Sequence, residues 1–226
     1  KPVFLNFLNG ILVMTEADGL FYIKNNADYE VVECNLKDLS KNTVTGASMA
    51  IYKGRVWVAK DAAIYYSALG TYNDFITEND AGYINEFHTD TGSITALKPY
   101  KDYLAVYKKD SVYLLTGTSP DDFAIVLFAS KGAVGANSIV NVENKQYFLS
   151  NGIFALEQAG ELNQIQLGSE ISQKIKQEFS SFGKLENTLC LHYETRSQMW
   201  YFFPYADDTF LHTVWINDYV NKAWYK

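Results

Sequence analysis

The chain has 226 residues, of which 48 % belong to the broad hydrophobic set, 15 % are aromatic and 20 % charged, a balance that excludes intrinsic disorder. Folding at this length buries about 70–75 % of the surface the unfolded form exposes, enough for one large domain or two small ones without disulfide support. Nineteen basic against twenty-six acidic residues leave a net charge of −7, so tight binding to nucleic acid through phosphate neutralisation is not expected.

Apolar runs such as residues 124–129 fall well short of the roughly 20 residues of a membrane-spanning helix, and no insertion is expected. No signal-peptide pattern is present. The first residue is Lys1, which reads as a processed or trimmed product and a fragment of a longer chain. Cys34 and Cys190 are too few for a disulfide framework and lie in no metal-ligand pattern, so both read as structural thiols.

In chain order the sequence falls into short strand-type runs bounded by Gly, Asn or Asp turns. Residues 11–15 and 20–24 flank Glu16-Ala17-Asp18-Gly19, where Asp-Gly supplies the positive φ of a tight hairpin. Residues 56–60 and 64–67 flank Asp61-Ala62-Ala63; 104–108 and 112–116 flank Lys109-Asp110-Ser111; 146–149 and 153–156 flank Ser150-Asn151-Gly152. The hairpins superpose by simple shifts. A shift of 44 carries Leu12 onto Val56, 48 carries Tyr65 onto Tyr113, and 41 carries Tyr113 onto Phe154. Entering strands are predicted at 48–52, 93–97 and 138–142, and outer strands at 29–35, 83–87 and 124–128. Four strands in about 40–50 residues, repeated, is the pattern of propeller blades. One blade cannot bury both of its faces alone, so Phe21, Tyr65, Tyr113 and Phe154, which occupy equivalent places, are assigned to packing between blades.

Between the fourth and fifth repeats, Ile171, Ile175 and Phe179 recur at the i, i+4, i+8 spacing of an amphipathic helix, with Ser169 as its N-cap and Gly183 as its stop. Strands return at 188–193, 199–203, 212–217 and 223–225. The expected fold is therefore all-β: a β-propeller-like array of about five four-stranded antiparallel blades in a single repeat domain, with one short helix near 170–181. The blades fall at 1–45, 46–90, 91–133, 134–168 and 185–226.

Catalytic constellations are weak. His88, His192 and His212 are widely spaced and lack the helical i, i+4 pattern of zinc ligands. The pairs Asp121-Asp122 and Asp207-Asp208 fall in turns, where Asp accepts backbone hydrogen bonds, and lack the alternating ligands of a calcium loop. Gly132-Ala133-Val134-Gly135 has neither the third glycine nor the Gly-Lys-Ser/Thr ending of a phosphate loop and reads as a connection between blades. There is no Gly-x-Ser-x-Gly elbow. No catalytic, cofactor-binding or metal-binding residue is assigned, and no enzymatic activity is expected. Tyr and Trp side chains would suit a sugar-stacking platform wherever they are exposed.

Specific wording adds a resemblance. Ile64-Tyr65-Tyr66-Ser67-Ala68 with Gly70 and Asn73-Asp74-Phe75 resembles a recurring phrase of phage structural propellers. So does Leu104 through Gly117 with Pro120-Asp121-Asp122-Phe123, and so do Gly132 through Ser138 and Phe148 through Phe154. Together these cover about residues 48–170, and residues 199–224 fit a terminal blade. The family is the β-propeller tail and head-to-tail proteins of double-stranded DNA bacteriophages, including nozzle and stabilisation proteins of short tails. The resemblance implies a non-enzymatic structural protein of the virion tail. Its partners would be other tail or portal proteins in a homo-oligomeric ring around the DNA channel, whose acidic wall lets DNA slide. The rival expectation is a glycan- or peptide-binding propeller of a bacterial surface or secreted protein.

Overall fold

A computed structural model describes the chain except for residues 1, 16, 35, 38–42, 47, 86, 88–91, 160–163 and 206–209. Its described residues contain five four-stranded antiparallel sheets, each a meander of strands adjacent in sequence, in agreement with the expected propeller-like array of about five blades. Blade 1 comprises β1 (Val3–Phe7), β2 (Gly10–Thr15), β3 (Gly19–Lys24) and β4 (Val31–Glu33). Blade 2 comprises β5 (Ser48–Tyr52), β6 (Arg55–Lys60), β7 (Ala63–Tyr66) and β8 (Gly82–Ile84). Blade 3 comprises β9 (Ile94–Tyr100), β10 (Tyr103–Lys108), β11 (Val112–Thr116) and β12 (Ala124–Ala129). Blade 4 comprises β13 (Ile139–Val142), β14 (Lys145–Leu149), β15 (Ile153–Ala159) and β16 (Gln164–Leu167). Blade 5 comprises β17 (Leu189–Tyr193), β18 (Gln198–Pro204), β19 (Leu211–Asp218) and β20 (Ala223–Tyr225). Contacts divide the chain into two compact units, Lys1–Phe128 and Ala129–Lys226.

The hydrogen-bonded register refines the repeat. Phe7 pairs with Gly10 and Tyr52 with Arg55, so Ile11, not Leu12, is the counterpart of Val56, and Leu12 that of Trp57. Beyond the next turn the offset returns to 44, because three residues separate Thr15 from its partner Gly19 and only two separate Lys60 from Ala63. The equivalence of the four aromatics holds: Phe21, Tyr65, Tyr113 and Phe154 pair with Val13, Val58, Val106 and Phe148 at the same place in each blade. The entering hairpins of blades 1 to 4 place a non-glycine residue in the left-handed region at the same turn position: Leu8, Lys53, Lys101 and Glu143, with φ from 47° to 54°. Two-residue hairpin turns demand that conformation because it matches the twist of the flanking strands.

Period two gives each sheet two apolar faces. In the first unit, Leu12, Met14, Leu20 and Tyr22 on the second face of blade 1 pack against Met49, Val56 and Val58 on the first face of blade 2. The pattern repeats one blade on. Ala50, Trp57, Ala59, Ile64 and Tyr66 on the second face of blade 2 meet Leu97, Leu104, Val106 and Tyr113 on the first face of blade 3. Trp57 is fully buried at the centre of this interface, its indole N–H donating to the Tyr52 carbonyl at 3.1 Å and its ring edge-on to Phe123 at 5.1 Å. Polar ties fix the register between the two blades: the Tyr52 hydroxyl donates to the Asp102 carbonyl at 2.6 Å, and the Leu97 amide to Ser48 Oγ at 3.0 Å.

The second unit builds its core the same way. Val142, Tyr147, Leu149, Ile153 and Ala155 of blade 4 face Cys190, Met199, Tyr201 and Phe203 of blade 5. The helix between these blades is a tight 3-10 turn over Gln173–Ser181 and not an α-helix. Only Ile175 and Phe179 of the predicted stripe belong to it. Ile171 precedes it, with its amide bonded to the Ile153 carbonyl, and Ser172, not Ser169, takes the N-cap position without a side-chain cap. Ser172 Oγ is committed elsewhere, accepting from the Ile153 amide and donating to Glu170, which anchors the linker to β15 and leaves the helix to start late. The helix ends at Phe182, one residue before Gly183, where the Phe182 ring stacks on Phe203 at 4.2 Å.

Two strands escaped sequence reading. β1 and β16 carry alternating exposed and half-buried residues and no Gly-bounded apolar run. The outer strands β4 and β8 are each only three residues long, shorter than predicted, because a propeller's outer strand lies at the edge with one hydrogen-bonding partner.

Candidate functional site

A cleft lined by charged and aromatic side chains lies in the second unit, where the linker before the 3-10 helix crosses the junction of blades 4 and 5. It encloses about 490 Å³. β14 contributes Lys145 and Tyr147; the linker and helix contribute Glu170 and Lys174; β19 and the last hairpin contribute Asn217, Tyr219, Lys222 and Trp224. Strand alternation explains the placement. Tyr147, Asn217 and Trp224 stand on the faces that blades 4 and 5 share, with Tyr147 and Asn217 buried and Trp224 half-buried at the edge of that core.

Most polar atoms here are held by neighbours. The Trp224 indole donates to the Ile171 carbonyl at 3.1 Å, and Tyr219 Oη lies 3.0 Å from His192 Nε2. Buried Asn217 donates through Nδ2 to the Ala223 carbonyl at 3.4 Å. Glu170 accepts from Ser172 Oγ at 2.8 Å and pairs with Lys176 at 3.3 Å. Lys174 donates to the Lys222 carbonyl at 2.9 Å and has no carboxylate partner among the described residues. The Lys145 ammonium is paired with Glu157, and the bond holds the lysine above and the glutamate below their ordinary ranges. Burial raises the Tyr147 phenol. The wall thus offers three aromatic rings, three lysines and one carboxylate in a chain of net charge −7.

A second cleft of about 580 Å³ lies in the first unit between the outer strands of blades 2 and 3, lined by Tyr66, Tyr83, Phe123 and Ile125 among others. Behind it, buried Arg55 binds Asp80 at 2.7 Å, donates to the Ser67 carbonyl at 2.8 Å and lies over the Tyr66 and Phe123 rings. Gly82 passes the Tyr66 hydroxyl so closely that a Cβ would stand 2.6 Å from it. Arg55 is spent on structure, and the described lining of this cleft includes the aromatic rings of Tyr66, Tyr83 and Phe123 and no charged side chain.

The residues singled out by sequence disperse. His192 supports Tyr219 in the polar cleft, His212 is exposed on β19 near Phe210, and His88 lies outside the described residues. No group of three His, Cys, Asp or Glu among the described residues has metal-binding geometry. Asp122 accepts from the Thr118 and Ser119 amides at 2.9 and 2.7 Å, which holds its carboxyl below the usual range, as a turn aspartate should. Asp207 and Asp208 lie outside the described residues. Gly135 leads only into a three-residue 3-10 turn, and a Cβ there would stand 2.8 Å from the Glu186 carbonyl, so close chain packing accounts for it. Both cysteines are buried, free thiols pushed up to about 12 by desolvation, and so are inert as nucleophiles near neutrality.

No family profile matches the sequence, and no curated protein matches it. Solved structures do match. The extracellular domain assigned to a hybrid two component system of B. thetaiotaomicron aligns over 98 % of this chain and 27 % of its own, with a TM-score of 0.63 and 13 % identity. A protein of Bacteroides fragilis assigned as exported aligns over 99 % of this chain and 69 % of its own, with a TM-score of 0.55 and 11 % identity. Virginiamycin B lyase from Staphylococcus aureus aligns over 89 % of this chain and 62 % of its own, with a TM-score of 0.54 and 14 % identity. The chain therefore spans about a quarter of the length of the first of these. At such identities the likeness shows the fold and nothing further.

The Lys145–Glu157 pair gives a pH signature. Because the glutamate is depressed, its contribution is complete above the ordinary glutamate range and is lost as pH falls through its lowered value. Because the lysine is raised, its contribution persists below the ordinary lysine range and is lost as pH rises through its higher value. A double-mutant cycle with Lys145→Met and Glu157→Gln should give a coupling of about 0.5–1 kcal/mol for this partly exposed pair. Denaturant titrations should find it constant from weakly acidic to weakly basic pH and absent in strong acid.

Proposed function

We propose that this chain is a binding propeller without chemistry of its own, and that the cleft between blades 4 and 5 takes an acidic glycan. The observation that carries this reading is the union of Tyr147, Tyr219 and Trp224 with Lys174 and Lys222 in one solvent-open cleft. Sugar rings present C–H faces that stack on aromatics, and a uronate or sialate carboxylate adds a partner for ammonium groups. Lys222 and Lys174 carry no carboxylate partner among the described residues, so their charge is available. Glycoside hydrolysis needs two opposed carboxyl groups, and Glu170 is the one carboxylate among the described lining residues, already engaged by Ser172 and Lys176. A surface or secreted setting fits the reading, since acidic glycans are met there.

Calorimetry with uronate-containing oligosaccharides tests it. The unaltered chain should bind, the Lys174→Ala/Lys222→Ala variant should lose at least about tenfold, and raised salt should weaken binding in the same direction. Equal affinity for neutral and acidic oligosaccharides, or no binding to either, overturns the reading.

A second reading, a structural subunit of a virion tail, is supported by the phrases over residues 48–170 that resemble those of phage structural propellers and by exposed apolar side chains such as Phe4, Val31 and Leu191. Mass spectrometry of purified phage particles checks it. The chain should be present at fixed stoichiometry with tail components, and its absence from intact particles would exclude this role.

A further inference from the structure

The outer strand of a blade has a sheet neighbour on one side and an open backbone edge on the other, and such an edge pairs with foreign strands unless it is short, charged or interrupted by proline. β4 and β8 stop after three residues, and β16 carries Gln164 and Gln166 among its four. β12 has no such protection. It runs for six residues, Ala124-Ile125-Val126-Leu127-Phe128-Ala129, without a charge, a proline or a glycine, and among the described residues β11 alone pairs with it. Val126 and Leu127 are 63 % and 40 % exposed. The edge also continues an interface of the fold. Phe123 and Ile125 pack against the core between blades 2 and 3, as Ile84 does from β8, and the cleft of about 580 Å³ opens beside all three. The side of β12 that carries Ile125, and by alternation Leu127, thus borders open space within the first unit.

The strand is complementary to itself when a second copy runs antiparallel to it. With Val126 opposite Val126, Ile125 meets Leu127 and Ala124 meets Phe128, and each pair shares a face because its members differ by an even number of residues. Apolar side chains then meet apolar ones throughout. The flanks carry opposite charge: Asp121 and Asp122 precede the strand in the chain and Lys131 follows it. Asp121 enters no ion pair among the described residues, and Lys131 is held by neutral groups, the Asn151 side chain at 3.2 Å and the Phe154 ring. Antiparallel pairing brings the acidic start of one strand to the basic end of the other, at both ends of the contact. Parallel pairing would set like charges together.

We propose that β12 is a self-pairing edge, at which two copies of this chain join their β12 strands antiparallel about a twofold axis through the Val126 pair. The two third blades then form one continuous sheet. The same surface is used by both copies, so the contact is isologous and closes at a dimer. Backbone hydrogen bonds between the strands supply the attraction, and the alternating side chains fix the register. On the cleft side, Leu127 of each copy stands opposite Ile125 of the other and extends the apolar wall that Ile125 and Ile84 begin.

Sedimentation velocity of the whole chain tests the proposal. The unaltered chain should pass from monomer to dimer as concentration rises and form nothing larger. Val126→Lys and Val126→Glu, made at an exposed position, each set like charges directly across the axis. Either variant alone should weaken dimer formation at least about tenfold, with an unchanged circular-dichroism spectrum. An equimolar mixture of the two should recover the dimer, because lysine then faces glutamate, and that recovery also shows that both variants fold. An unaltered chain that stays monomeric at the highest concentration leaves the edge to a strand of another protein and overturns the proposal. Dimers that persist undiminished in each variant alone, or a mixture that stays monomeric, would overturn it as well.

Discussion

A four-stranded sheet with apolar side chains on both faces gains stability where those faces are covered, and the cores of both compact units follow from that. Junctions between blades supply that cover, and Trp57 shows the cost of leaving it out. Its ring lies fully inside the junction of blades 2 and 3, satisfied by the Tyr52 carbonyl and surrounded by Tyr66 and Phe123. The aromatic share of 15 % is spent largely here, on rings broad enough to bridge two sheets about 10 Å apart. Disulfides are unnecessary once these surfaces are buried, and both thiols are simply small apolar fillers.

The same constraint decides where recognition is available. Strand interiors are consumed by packing, so free polar groups collect on linkers and hairpin ends. The cleft in the second unit arises where the Gly168–Ser172 linker bridges two blades and is pinned by the Ile171 amide and the Ser172 hydroxyl to β15. Lysines from three separate segments converge there although no stretch of the sequence is basic. Lys174 and Lys222 thus gather in one place although the chain as a whole is acidic.

Much of the architecture was legible because it rests on local chemistry. Turn residues and alternation locate most strands to within a residue or two, and the equivalence of Phe21, Tyr65, Tyr113 and Phe154 marks the same face of each blade. The one-residue slip at Leu12 came from a turn that is longer in blade 1 than in blade 2, which shift arithmetic cannot detect without the hydrogen bonds. The helix was misjudged because periodicity reports which side chains face the core but not how tightly the backbone winds; Ser172 was already committed to Ile153 and Glu170. The cleft was not legible. Tyr147, Glu170, Tyr219 and Trp224 are separated by up to 77 residues in sequence and share no spacing, so their convergence is a property of the junction alone.

The central claim is that burial between blades, and not hairpin formation within them, holds the fold. Equilibrium denaturation of Trp57→Ala tests it most directly, with Val126→Ala on an exposed outer strand as the comparator. Loss of a fully buried tryptophan at a junction should cost about 3–5 kcal/mol, while the exposed valine should change stability by no more than about 0.5 kcal/mol. A Trp57→Ala variant that unfolds within about 1 kcal/mol of the unaltered chain would contradict the account.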